Sequence, residues 1–93
     1  MRITIEGMID QRYIQKRPLA LWIWGIDDGF LICDKWDFCY GTGASVGAAL
    51  DDYWSSFIAE FEALQKDEGH LANWLKRELR VIKRYIEPMN LTA

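Results

Sequence analysis

The chain has 93 residues, of which 51% are hydrophobic, and its 14 acidic residues against 11 basic ones give a net charge of −3. This length predicts one domain, and no apolar run approaches the ~20 residues of a membrane span, so with no signal-peptide layout at the N-terminus we expect a cytoplasmic protein. The small negative charge excludes a global attraction to nucleic acid or to anionic lipid.

The first half of the chain predicts strands. MRITIEG alternates apolar and polar residues as a half-buried strand does, and residues 8–18 are interpreted as a connection. LALWIWGI is apolar on both faces, which is typical of a central strand. Asp27-Asp28-Gly29 then predicts a turn, after which GFLIC completes a hairpin and WDFCY, residues 36–40, forms an outer strand with one aromatic face.

From Val46 the apolar period becomes that of a helix, and Ser45 is placed to cap its first turn. The helix ends at KDEG, where Gly69 suits a C-terminal cap. A second helix over residues 71–86 closes before Pro88. The predicted fold class is α+β, with a three- to four-stranded antiparallel sheet covered by one long helix, plus a second C-terminal helix.

Three glycines at the start of the long helix raise the question of a phosphate-binding loop. Gly41, Gly43 and Gly47 are spaced as GxGxxxG, which misses the dinucleotide fingerprint by one residue. We therefore expect Gly41 and Gly43 to release the backbone from strand geometry before the helix, with no role in binding phosphate.

The segment that runs from IDDGFLI through GTGAS to VGAALDDYWSSFIAEFEAL resembles the HicB-like antitoxin family, whose domains have a glycine hairpin, a strand, a G-x-T turn and an E-A-L helix. The resemblance covers residues 19–64, with Ser45 where the family usually has threonine, and Gly47 and Ala48 replacing its glutamates. It implies a partial ribonuclease-H-like fold without catalysis, which binds and blocks a small HicA-type toxin ribonuclease. Many members also carry an appended DNA-binding segment, for which this chain offers only its second helix.

Four aspartates near the predicted strand ends are candidates for a catalytic metal site. A ribonuclease-H-type enzyme needs several carboxylates around two metal ions ~4 Å apart. The candidates near strand ends are Asp27 and Asp28, which the turn explains, and Asp34 and Asp37, which we interpret as solvent-facing strand charges.

The remaining reactive side chains also lack a catalytic pattern. His70 stands alone, and Cys33 and Cys39 lack the spacing of zinc ligands, so they are expected to be buried free thiols. We expect no enzyme activity, no catalytic residue, no metal and no cofactor.

The five tryptophans divide into two groups. Trp54 and Trp74 fall on apolar helix arcs and are predicted to be core residues. If the long helix covers the sheet face of Leu19, Leu21 and Ile23, the opposite face is left open. The predicted partner-binding residues on it are Trp22, Trp24, Trp36 and Phe38. The alternatives are that the second helix covers them, or that the aromatic face is the inner one.

The second helix has one basic side, made of Lys76, Arg77, Arg80, Lys83 and Arg84. Residues 71–87 hold five basic and two acidic residues, a net charge of +3 against −6 for the remainder. Three interpretations stay open for this side: a solvated surface, a contact with an acidic partner or a second copy, and nucleic-acid binding. Glu78 falls inside the apolar arc, where it would need a cationic partner.

These observations predict a non-enzymatic, antitoxin-like protein that inhibits a small basic toxin ribonuclease by occlusion. The alternatives are a nucleic-acid-binding module that uses the basic helix, and another small inhibitor such as a phage-encoded blocker of host defence. A homodimer is compatible with each.

Overall fold

A computed structural model describes residues 1–9 and 12–89 of the chain. It is an α+β fold that contains the predicted sheet and both predicted helices. The strands are β1 (Arg2–Ile5), β2 (Tyr13–Gln15), β3 (Leu19–Ile26), β4 (Gly29–Asp34), β5 (Tyr40–Gly43) and β6 (Ile86–Pro88); the helices are α1 (Val46–Lys66) and α2 (Asn73–Lys83).

The main sheet is antiparallel and has the strand order β1-β3-β4-β5, so β3 and β4 are its central strands. The predicted central position of β3 is confirmed, but only one of its two apolar faces is buried. Leu19, Leu21 and Ile23 are buried on the face that α1 covers. The sequence left open which face the long helix covers, and in the structure it is this one.

Helix α1 spans 21 residues and carries the largest part of the core. Its buried residues recur at helical spacing, as the sequence predicted: Ala49, Tyr53, Trp54, Phe57, Ile58, Phe61 and Leu64. The Oγ of Ser45 accepts a hydrogen bond of 3.1 Å from the backbone N–H of Ala48, which confirms the predicted cap. The C-terminal cap is Asp67 rather than Gly69, which lies in a turn of 3-10 helix, Glu68–His70.

The glycines before α1 belong to strand β5, so the prediction that they release the chain from strand geometry is wrong. A Cβ atom at Gly41 would lie 2.6 Å from Cα of Tyr53, and one at Gly43 would lie 2.5 Å from N of Ala49. Strand β5 and helix α1 therefore touch backbone to backbone, which only glycine permits at this distance. The glycines serve close packing.

Two further elements differ from the prediction. Strands β2 and β6 pair as a separate antiparallel sheet, although the sequence was interpreted there as a connection and as the end of a helix. The second helix is shorter than residues 71–86, since α2 ends at Lys83 and Ile86 already belongs to β6. Tyr13 joins this small sheet to α1 by an edge contact with Phe61 at 5.4 Å.

Neither of the two helices in the described residues combines the length and apolar character needed to cross a bilayer.

Candidate protein-binding surface

The face of the main sheet opposite α1 is covered by none of the described elements, and we call it the open sheet face. Strand register sets its side chains in rows, because directly paired residues point to the same side. One row runs Arg2, Trp22, Cys33, Tyr40, and the next runs Trp24, Leu31, Thr42. Ile26 follows beyond them at the hairpin end.

The open sheet face exposes an unusual amount of apolar surface. Trp24 is 53% exposed, Tyr40 50% and Ile26 48%, whereas Trp22 and Leu31 between them are half-buried by their neighbours. The Arg2 guanidinium lies over the Trp22 ring at 5.8 Å from its centroid, so one edge of the face is cationic. Together these residues form a contiguous aromatic and aliphatic patch of the kind that marks an interaction site.

Trp36 and Phe38 do not belong to this patch. Residues 35–39 form a loop, so the predicted outer strand over residues 36–40 is wrong except at Tyr40. The two rings stack on each other at 5.4 Å, and Trp36 makes an edge contact with Tyr85 after α2. Both are half-buried against the core. Of the four predicted partner-binding residues, the structure places Trp22 and Trp24 together and the other two elsewhere.

Asp34 explains why the chain leaves strand geometry at this point. Its Oδ1 accepts hydrogen bonds from the backbone N–H groups of Trp36 and Phe38, both at 3.0 Å. Its Oδ2 accepts from the N–H of Cys39 at 3.1 Å and from the Tyr53 hydroxyl at 2.8 Å. The side chain is 2% exposed, which corrects its interpretation as a solvent-facing charge. Both carboxylate oxygens are occupied in holding the loop.

The other titratable candidates give no reactive cluster in the part of the chain that the structure describes. No three His, Cys, Asp or Glu side chains there are arranged to hold a metal ion. Burial, followed by the charge of Asp34, raises the pKa of the Cys39 thiol to about 12, so this thiol stays protonated near neutral pH. Cys33 and Cys39 are both free, and His70 is exposed.

Glu78 is buried without the cation that the sequence led us to expect. The residue is 8% exposed, and its Oε2 has no hydrogen-bond partner within the described residues. Burial raises its pKa to about 7, and the carboxylates of Glu60 and Asp34 add to the shift. Glu78 is therefore accommodated by holding a proton, which replaces the predicted ion pair.

The predicted basic side of the second helix is present. Lys76, Arg77 and Arg80 are exposed on α2, Lys83 ends it, and Arg84 is its C-terminal cap. Trp74 was predicted to be a core residue, yet it is 66% exposed on the same helix, so that prediction is wrong. Trp54 is buried as predicted.

Sequence reasoning missed three residues of the open sheet face. Ile26 continues the even-numbered series of Trp22 and Trp24, and this period of two could have identified it. Leu31 and Tyr40 reach the face only through the pairing register of β4 with its two neighbours. Nothing local in the sequence fixes that register.

Compared with protein-family models, with curated proteins and with solved structures, the chain matches none of them. The HicB-like resemblance thus rests on the sequence pattern alone.

Proposed function

We propose that this chain is a non-enzymatic binding protein that inhibits a protein partner by covering it with the open sheet face. The observation that carries the proposal is the exposure of Trp24, Ile26 and Tyr40 on one side of the sheet. Aromatic side chains are enriched at protein interfaces, and a few of them supply most of the binding energy. Trp24 is the leading anchor because it is the largest and most exposed residue of the patch.

The charges at the hairpin end of the patch and beside Tyr40 are acidic and favour a basic partner, while Arg2 leaves the β1 edge cationic. Asp27 and Asp28 are exposed at the hairpin turn next to Ile26. Asp37 lies close enough to Tyr40 to raise the pKa of its phenol. An acidic border of this kind attracts and orients a basic protein during association. A small toxin ribonuclease of HicA type is the partner that the family resemblance implies, which makes the chain an antitoxin in this proposal.

The size of the open sheet face indicates that the contact extends beyond it. Four strands ~4.8 Å apart and roughly 20 Å long present on the order of 400 Å². A stable complex buries about 800 Å² on each partner. The edge of β5 is partly closed, because Asp52 Oδ2 accepts the Thr42 N–H at 2.9 Å. The edge of β1 has no strand partner among the described residues, so we place the additional contact there.

Co-expression with a small basic toxin ribonuclease of HicA type, followed by affinity purification, tests the proposal. The expected result is a stable complex that Trp24→Glu disrupts and that Lys66→Glu, a charge change at the far end of α1, leaves intact. Absence of a complex with such a ribonuclease contradicts the proposal. So does a homodimer of the isolated chain that Trp24→Glu dissociates, because the face would then belong to a second copy.

A further inference from the structure

The solvent side of α2 combines an exposed aromatic ring with a dense set of cations. The buried side of this helix is formed by Glu78, Leu79 and Ile82. Trp74 lies away from that side, and on a helix it neighbours Arg77, three positions later. Trp74 is 66% exposed, so its ring and the neighbouring arginine are both available to a ligand.

Most of the cations on this helix are not neutralised. Within residues 1–9 and 12–89 the ion pairs are Arg12 with Glu62 and Lys83 with Glu68, the latter at 3.2 Å. Lys76, Arg77, Arg80 and Arg84 therefore have no carboxylate within ion-pair distance in that part of the chain. Repulsion among them is relieved when an anionic ligand binds.

Some of these cations line a depression on one flank of α2. Its volume is about 280 Å³, and it is lined by Glu68, Lys76, Leu79, Arg80 and Lys83. Leu79 is buried, Lys83 is paired with Glu68, and Lys76 and Arg80 are the lining cations without a carboxylate partner among the described residues. A phosphate group is small enough to enter and is matched in charge.

We propose that the solvent side of α2 binds single-stranded nucleic acid, with an unpaired base stacked on Trp74 and the phosphates held by Arg77, Arg80 and the adjacent depression. Trp74 and Arg80 are six residues apart, which at 1.5 Å and about 100° per residue is roughly 9 Å along the helix axis and about 120° around it, so a strand of a few nucleotides would cross the solvent side obliquely. Stacking on aromatic rings combined with cationic contacts to the backbone is how sequence-tolerant single-strand binding works.

A single strand fits better than the two other anionic ligands of this size. In a duplex the base faces are stacked on one another and are not accessible to a tryptophan ring. The carboxylates of an acidic peptide would neutralise the cations but do not stack on the Trp74 ring, whereas every nucleotide brings a phosphate and a flat base together. The surface is separate from the open sheet face, so this inference stands or falls independently of the proposed inhibitor function.

Fluorescence anisotropy of a labelled, mixed-sequence DNA or RNA oligonucleotide at low salt tests the inference with the full chain. Trp74→Ala is expected to weaken binding by roughly 5- to 100-fold, the range for losing one stacked base, whereas Trp74→Phe retains most of the affinity. Arg77→Glu with Arg80→Glu is expected to abolish binding, and the matched charge change Lys66→Glu to leave it unchanged. Each single Arg→Ala change should lower the slope of log affinity against log salt by about 0.7.

Three results would overturn the inference: no binding of the single strand at low salt, equal affinity of wild type and Trp74→Ala, and equal affinity for the duplex of the same sequence. Competition by poly-glutamate as strong as by the unlabelled oligonucleotide would assign the surface to an acidic protein instead. Circular dichroism of each variant separates loss of binding from loss of fold.

Discussion

The hydroxyl of Tyr53 donates a hydrogen bond of 2.8 Å to Oδ2 of Asp34, and both side chains are buried. The bond joins α1 to the end of β4, at the point where the loop of residues 35–39 turns around the same carboxylate. Burial, followed by the charge of Asp34, raises the pKa of the Tyr53 phenol far above its ordinary value, so the hydroxyl stays protonated and remains a donor near neutral pH. This pair locks the loop to the helix.

Tyr53→Phe tests how much the hydrogen bond between Tyr53 and Asp34 contributes to the free energy of unfolding. The change removes one hydrogen bond to a buried carboxylate without changing the packing volume, so a loss of about 1.5 to 3 kcal/mol in the free energy of unfolding is expected. Urea denaturation followed by circular dichroism measures it. Tyr85→Phe is the control, because the Tyr85 hydroxyl makes no hydrogen bond among the described residues; equal effects of the two changes would contradict the assignment.

Gly41→Ala tests the backbone contact between β5 and α1. The added methyl group would overlap backbone atoms of Ala49 and Tyr53, which cannot move aside as a flexible side chain can. We expect overpacking of this kind to lower the free energy of unfolding by about 1 to 3 kcal/mol. Gly25→Ala is the matched control, since a Cβ atom there meets nothing within 4 Å. Comparable melting temperatures for the two variants would show that the contact is looser than described.

Ser45→Ala removes the hydrogen bond to the Ala48 N–H at the first turn of α1. The expected loss is ~1 kcal/mol, the usual contribution of a serine N-cap. Ser55→Ala, on an exposed position inside the same helix, should leave stability unchanged or raise it slightly, because alanine is the better helix former. Chemical denaturation of the two variants side by side distinguishes the cap from a general effect of serine removal.

Glu78 predicts a specific pH dependence of stability. Its pKa rises from an ordinary 4.5 to about 7 in the folded chain, so between these values the unfolded chain loses the proton while the folded chain keeps it. Protonated Glu78 therefore contributes fully to the free energy of unfolding below pH ~4.5. This contribution falls by on the order of 2 to 3 kcal/mol as the pH rises towards 7.

Glu78→Gln isolates this contribution. Glutamine keeps a donor towards Glu60 but cannot ionise, so the variant should gain stability over wild type as the pH rises from 5 to 7, and the difference should level off above 7. The free energy of unfolding of both proteins, measured from pH 5 to above pH 7, checks this prediction. The groups that face Glu78 are Glu60, Asp34 and Cys39, none of them cationic. A constant difference between the two proteins at all pH values would refute protonation of Glu78.

The sequence predicted those features that depend on local periodicity. The alternation in residues 19–24 separated the two faces of β3 without showing which one is covered, and the helical period from Val46 identified α1 and its serine cap. Both patterns are set by residues close together in the chain. Trp22 and Trp24 were located correctly for this reason.

The errors arose where distant residues decide the structure. Residues 36–39 alternate like a strand, but the buried Asp34 carboxylate captures their backbone N–H groups and folds them into a loop. The β2–β6 pairing joins segments some seventy residues apart in sequence, which no local pattern reveals. Trp74 fits the apolar arc of α2 only at its margin, away from the buried residues Glu78, Leu79 and Ile82, and the period alone does not show that this margin is exposed.

The central claim is that Trp24 anchors a protein partner on the open sheet face. Calorimetric titration of the purified basic partner into wild type and Trp24→Ala measures it directly, with Val46→Ala as the control for loss of an exposed apolar side chain on the opposite side. The expected result is a dissociation constant at least about 30-fold higher for Trp24→Ala, as for an interface hot spot, and an unchanged one for Val46→Ala. Equal dissociation constants for wild type and Trp24→Ala would contradict the account.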